Sequence, residues 1–325
     1  MNRLELDHLT TSTIDITYVC LPLSSNDGRS IYDKRLTEAL NELGIRVNTL
    51  ELAHPCRRFI PIWGKKWQKM QVEYVKKTSQ KSKFTIVSHE LLADFSRTLK
   101  PDLFIIHNLF SHFSFKSRPD IQLFYRCGSS HLFNSVAASS QRLLFLSERE
   151  RAIASETWPD LPIYASPPGI PQKENLPLNY NATSIKTLGS NDWLPKRASK
   201  LSRSDHKYLK NAKLEVISDN FGNPSPAIIE DKFLSGFKLK LMEHLYNGDT
   251  IASFSDLSSE IDWINPHYSR FKHVNSINEA ISFFNKTEAS IGATNEDRIT
   301  KSRLDLTSRF AWKEVARNIA SKLDH

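Results

Sequence analysis

Cysteine is scarce in this sequence. Cys20, Cys56 and Cys127 stand far apart among 325 residues, and no two form a Cys-x-x-Cys pair. An odd, scattered set excludes a disulfide framework and a thiolate zinc site, and it fits reducing surroundings. No apolar run approaches the roughly 18 residues that a spanning helix needs. The opening MNRLELDHLTTSTIDITYVCLPL has acids and hydroxyls where a signal peptide has a basic end and an apolar core. A cytoplasmic protein is therefore expected. No Asp-x-Asp occurs at a strand end. No repeat of solenoid length is present.

What is present suits two domains. Hydrophobic residues make up 39% and charged residues 25%, enough for a core in each half. Short β-branched runs alternate with longer amphipathic ones, the pattern of βα units around parallel sheets. Residues 14–23 read as a buried strand and 30–44 as a helix with Tyr32, Leu36, Ala39, Leu40 and Leu43 on one face. Further strands are expected at 45–52, 102–108, 121–127 and 142–147. Residues 159–181 contain six prolines and little periodicity, so they read as a connection between domains. A second βα series follows, with strands at 184–190, 212–218, 226–230 and 249–254. A closing helix carries the stripe Trp312, Val315, Ile319 and Leu323. The fold class is α/β.

The stretch LSGFKLKLMEHLYNGDTIASF, residues 234–254, is the most informative for chemistry. Gly236 stands at the start of a helix, where free N–H groups make an anion site. Lys238 and Lys240 add positive charge beside it, and Glu243 lies on the same helix where a carboxylate can accept from ribose hydroxyls. The plain alternative is an ordinary helix with solvated lysines and Gly248 as its C-cap.

GFKLKLMEHLYNGDTIAS resembles the donor-binding motif of the group 1 glycosyltransferases. TLGSNDWLPKR (187–197) is similar to the opening of their C-terminal domain, LLFLSERERAIASETWPDLPIYASPPGIP (143–171) to their last N-domain unit and linker, and RFAWKEVARNIASKL (309–323) to their closing helix. The four stretches fall in the family's order. The resemblance implies a GT-B architecture, two Rossmann-like domains facing across a cleft, with a nucleotide-diphosphate sugar as co-substrate and no metal or resident cofactor, since basic side chains and a helix start stabilise the leaving diphosphate. It implies an acceptor domain over 1–165, a nucleotide-sugar domain over 166–308 and a crossover helix over 309–325. Glu243 falls where the family binds ribose, and Gly236, Phe237 and Lys238 where it holds the diphosphate. Gly189, Ser190, Lys196 and Arg197 fall where it brings a glycine and a basic pair to the phosphates, and Gly28 in the loop facing the reaction centre. Three departures stand out. Ser235 occupies the place of an acid eight residues before Glu243, only one glycine stands in the N-domain loop, and Gly248-Asp249-Thr250-Ile251 lacks the motif's proline.

A general base is expected at the N-domain edge. His131, read as following the 121–127 strand, is the first candidate, and Asp27 beside Gly28 is its rival. His107 and His112 flank another strand end. Each histidine also has a plain reading as a hydrogen-bonded loop residue.

The net charge is +8, and residues 57–83 hold nine Lys or Arg against one acid, Glu73. Arg57, Arg58, Lys65, Lys66 and Lys69 interleave with Trp63 and Trp67. Such a patch is attracted to an acidic bilayer face, is able to grip nucleic acid, or is a solvated helix face. Docking on the inner membrane face is preferred to nucleic acid. The expected activity is transfer of a sugar from a nucleotide-diphosphate donor to a glycan or lipid-linked acceptor in cell-surface polysaccharide assembly. The alternatives are a sugar-nucleotide epimerase of the same fold and a non-catalytic nucleotide-sugar- or nucleic-acid-binding protein.

Overall fold

The computed structural model describes residues 14–24, 27–52, 69–170, 178, 180, 181, 183–187, 194–217, 223–289 and 295–324. The first sheet contains β1 (Ile14–Cys20), β2 (Val47–Glu51), β3 (Ser82–Ser88), β4 (Leu103–Ile106), β5 (Leu143–Phe145) and β6 (Ile163–Ala165). These strands run parallel in the order β2-β1-β3-β4-β5-β6. Helices α1 (Gly28–Glu42), α2 (Lys69–Ser79), α3 (Ala93–Leu99), α4 (Pro119–Ser139) and α5 (Glu148–Thr157) connect them. The second sheet contains β7 (Ser184–Thr187), β8 (Glu215–Ile217), β9 (Pro226–Ile229), β10 (Thr250–Ser253) and β11 (Phe271–His273), again parallel, in the order β11-β10-β9-β7-β8. Its helices are α6 (Leu194–Ser199), α7 (Arg203–Asn211), α8 (Leu239–Asn247), α9 (Ser258–Ile264), α10 (Ile277–Ala289) and α11 (Asn295–Phe310), and α12 (Trp312–Ser321) follows.

Parallel strands covered on both faces must be apolar on both, and successive side chains point opposite ways. The central strands obey this. In β4, Phe104 and Ile106 join one core, while Leu103 and Ile105 join the other. α12 returns to the first lobe: Val315, Ala316, Ile319 and Leu323 complete the core that also holds Tyr32, Leu36 and Leu40 of α1. The linker and the start of α12 run side by side, with Ile170 N–H donating to Phe310 O at 2.8 Å. Gly169 permits this approach, since a Cβ there would collide with Trp312.

Residues 121–127 are not a strand. They lie inside α4, which opens with Pro119 at a position where a missing N–H costs nothing. The buried residues Ile121, Tyr125, Phe133 and Val136 trace one helical face, while Leu123 and Phe124 are exposed. The short run Ile121–Tyr125 imitated a strand because its helical period shows only over the full 21 residues. Three strands went unread: β3 follows the basic segment, β6 lies within the Pro-rich stretch, and β11 is only three residues long.

At the N-terminal edge of the second sheet, buried Asp249 accepts from Lys186 Nζ at 3.0 Å, Asn247 Nδ2 at 2.5 Å and Ser225 N–H at 3.0 Å, and it contacts His244 Nδ1 at 2.8 Å. Gly248 ends α8 with φ +82, as a left-handed C-cap requires. This buried knot follows the Gly-Asp-Thr-Ile sequence and fixes the C-terminal end of α8.

Candidate active site

Open parallel sheets bind ligands beyond the C-terminal strand ends, at the point where the strand order reverses. In the first sheet that point lies between β1 and β3, and in the second between β7 and β9. The two points meet. A Cβ on Gly28, at the start of α1, would lie 2.6 Å from Leu239 Cδ1, at the start of α8. Ser114 and Leu234 exchange backbone hydrogen bonds of 3.0 and 2.8 Å between the lobes. Phe233 stacks on Phe113 and belongs to the first lobe's core. Phe237 packs against the cores of both lobes.

On the first lobe, Asp27 caps α1 by accepting from Ser30 N–H at 2.8 Å and pairs with Arg29 at 2.8 Å. Behind this cap is a buried polar group. Asp33 Oδ1 accepts from Tyr18 OH and Ser88 Oγ, both at 2.6 Å, and Ser88 Oγ lies 2.9 Å from His107 Nε2. Burial pushes the Asp33 carboxyl up to about 7, although the Ser88 and Tyr18 hydrogen bonds oppose it. Burial pulls His107 down to about 3, assisted by the field of His89. Burial likewise pulls His89 down to about 3. His89 has φ +92 and ψ 132, a strained backbone for a residue with a side chain, and its Nδ1 accepts from Leu91 N–H at 3.1 Å. Glu90 secures the next turn by accepting from His107 N–H at 3.1 Å and Asn108 Nδ2 at 3.0 Å.

On the second lobe, Asp231 follows β9 and is buried beside Lys240 Nζ at 3.2 Å and Lys238 Nζ at 3.6 Å. Burial would push Asp231 up, but the fields of Lys240, Lys238 and Lys196 overturn that and leave it at about 2. The field of Lys196, on α6, thus reaches the cluster. Lys238 also lies 3.7 Å over the Phe233 ring, and burial pulls its ammonium down to about 7.

The geometry at Gly236 corrects the expectation that its amide opens the helix and grips a diphosphate: α8 begins at Leu239 with Lys238 as its N-cap, so Gly236 precedes the helix. Its N–H donates to Glu150 Oε1 at 2.6 Å, so a carboxylate from α5 of the opposite lobe already fills that anion seat. With φ +58, its Cα faces the first lobe so closely that a Cβ would collide with His107 O and Asn108 Oδ1. Glu150 Oε2 also accepts from Leu109 N–H at 3.0 Å. Burial pushes Glu150 up to about 7, against the pull of Arg149 and these amides. A second carboxylate crosses the other way: Ser147, the N-cap of α5, donates to Glu260 on α9.

The other expected site residues divide. Asp27 and Gly28 stand at the start of α1 against Leu239 of α8, and Lys238 and Lys240 surround buried Asp231 within the field of Lys196. Phe237 is an interlobe packing residue. Glu243 is half-buried, just over one turn into α8, and Arg197 is exposed on α6. His131 is inside helix α4 rather than on a loop, so the placement that recommended it as a base is corrected; its side chain lies outside the described residues. His112 is in the turn Phe110–His112 after β4. Gly189, Ser190, Arg57, Arg58, Trp63, Lys65, Lys66 and Trp67 lie outside the described residues, and Lys69 opens α2. Sequence reading missed Asp33, Ser88, His89, Glu90, Glu150 and Asp231. A Ser-His-Glu run at 88–90 was the one visible signal among them. Among the described residues no group of three or more His, Cys, Asp or Glu could hold a metal ion, and no helix is long and apolar enough to cross a membrane.

No protein-family model matches the sequence, and no curated protein matches it. Solved structures do match. Sucrose-phosphate synthase from Thermosynechococcus elongatus aligns over 94% of this chain and 98% of its own, with a TM-score of 0.61 at 11% identity. HepE from Anabaena in complex with UDP-glucose aligns over 95% and 99%, with a TM-score of 0.60 at 9% identity. TarM from S. aureus, in complex with UDP and alpha-GlcNAc-glycerol among other ligands, aligns over 78% and 58%, with a TM-score of 0.54 at 9% identity. The chain has the GT-B fold expected from its motifs.

Proposed function

We propose that this chain is a glycosyltransferase that moves a sugar from a nucleotide-diphosphate donor to a hydroxyl acceptor, the donor lying mainly on the second lobe. One observation carries the reading. Lys238 and Lys240 meet Asp231 just after β9, at the strand-order reversal of the second sheet and within the field of Lys196, beside the contact of the α8 start with Gly28. Three lysines against the single carboxylate of Asp231 leave a net positive field there, which lowers the cost of the negative charge that develops on a departing diphosphate. The UDP and UDP-glucose complexes of the similar folds support that donor class. Glu243 would hold the ribose. Because Glu150 occupies the Gly236 amide, the phosphates would rest on the lysine cluster rather than on that amide.

The finer part of the proposal concerns the acceptor. A lipid-linked or glycan acceptor in polysaccharide assembly suits the basic segment 57–83, whose described end carries Lys76, Lys77 and exposed Tyr74 on α2. Inner-leaflet docking would then follow, and co-sedimentation with anionic vesicles tests it. A second reading, a nucleotide-sugar binder without turnover, draws on the occupied seat at Gly236 and on Ser235.

The test is calorimetry and product release against UDP-, GDP-, ADP- and TDP-glucose. One donor class should bind and release its nucleoside diphosphate. A ligand present at one hundred times its Kd stabilises the folded state by about 2.7 kcal/mol. Lys240→Ala and Glu243→Ala should each abolish that shift. Binding of no nucleotide sugar would refute both readings, and binding without diphosphate release in the presence of any acceptor would leave the binder.

A further inference from the structure

We infer that Ser88 and Asp33 hold His107 as the tautomer protonated on Nε2, leaving its Nδ1 as the hydrogen-bond acceptor for a substrate hydroxyl at the interlobe site. The argument is a count of hydrogens. With Asp33 ionised, Oδ1 can only accept, and it receives the hydroxyl hydrogens of Tyr18 and Ser88, each at 2.6 Å. Ser88 has one hydrogen and has spent it on Asp33. The 2.9 Å contact between Ser88 Oγ and His107 Nε2 is then a hydrogen bond only if the imidazole donates. One proton on a neutral ring fixes the other nitrogen as a lone pair.

The neighbouring histidine shows why this falls to His107. His89 Nδ1 accepts from Leu91 N–H, so its proton is on Nε2, which lies 3.5 Å from Glu90 Oε1. His89 thus has a hydrogen bond at Nδ1 and a carboxylate facing its Nε2. His107 Nδ1 meets no hydrogen-bonding partner among the described residues. The ring is also held in place. Tyr32 meets it edge-on at 5.1 Å, Glu90 fastens its backbone N–H, and its carbonyl lies against Gly236 of the other lobe. Asp33, Ser88 and Tyr18 are fully buried, while His107 keeps 6% of its surface. The relay therefore begins in the core of the first lobe and ends on a residue whose backbone carbonyl meets the other lobe. Ser88 and Asp33 are positioning residues, since they act on substrate only through His107.

The substrate half of this inference rests on the transferase reading; the tautomer does not. The test is nitrogen-15 NMR of histidine-labelled protein without ligand at pH 8.5, with His107→Gln giving the assignment. The wild type should show a neutral ring protonated on Nε2 with Nδ1 bare. Ser88→Ala removes the acceptor, and the pattern should shift toward the Nδ1-protonated form. Asp33→Asn still offers Ser88 an oxygen and should keep the wild-type pattern. In turnover, Ser88→Ala should lower kcat at least tenfold with KM for the nucleotide sugar little changed, whereas Asp33→Asn, with Ser88 still present, should keep most of the wild-type kcat. A wild-type ring protonated on Nδ1, or a spectrum unchanged in Ser88→Ala, overturns the relay. A correct tautomer in a protein that transfers no sugar overturns the transferase reading alone.

Discussion

Replacing Glu150 by glutamine should change the pH dependence of stability by a predictable amount. Glu150 is 1% exposed, and its carboxyl moves from an ordinary 4.5 to about 7 on folding, chiefly through burial. A raised carboxyl pKa means that the native state binds the proton more tightly than the unfolded chain. Its contribution is fully present below about 4.5 and is lost as pH rises through about 7. The shift of roughly 2.5 units, at about 1.4 kcal/mol per unit, amounts to about 3 kcal/mol. Glutamine cannot ionise, so the variant has no such loss. It does turn an N–H toward either Leu109 or Gly236, a fixed cost of about 1–3 kcal/mol at every pH. The stability of Glu150→Gln minus that of the wild type should therefore rise by about 3 kcal/mol between pH 4.5 and 8. Denaturant unfolding at several pH values across that range measures it. A difference that stays constant with pH, or that falls, would mean that the carboxylate is not buried between the lobes, and the occupied anion seat would have to be abandoned.

His89 and His107 titrate in the opposite sense. Both stay neutral when folded, with pKa values near 3 against 6.5 in the unfolded chain, so each loses stability as pH falls below 6.5. His89→Asn keeps an acceptor for Leu91 N–H and tolerates positive φ; it should make the acid loss shallower by about 1.4 kcal/mol per pH unit, read from unfolding at pH 6.5 and 4.5. Gly236→Ala places a methyl group against His107 O, with φ +58, and should separate the lobes, giving a larger radius of gyration by small-angle scattering. Asp249→Leu leaves Lys186 buried without its counter-charge and should cost about 3–5 kcal/mol in urea unfolding.

Much of the molecule is legible in one dimension because its physics is local. Parallel strands buried on both faces need unbroken apolar runs, so β1, β4, β5 and β9 stand out. The stripe Val315, Ile319 and Leu323 marks α12 and the turn after it, and the glycines at 236 and 248 stand where a positive φ disfavours a side chain. Local reading failed at α4, whose first turns have a strand-like composition, and at β3 and β11, where neighbouring charge or short length hides the period.

The sequence by itself determined the α/β alternation, the two halves, and the concentration of lysine around α8. Only the tertiary structure decided how the charges pair. Asp33 meets Ser88 across 55 positions and Glu150 meets Gly236 across 86. No pattern in the chain encodes such a distance. The strand order brings those groups together, and burial then decides which of them carries a proton. The carboxylate that fills the anion seat at Gly236 comes from the other lobe, so it exists as a neighbour only once both sheets have formed and closed on each other.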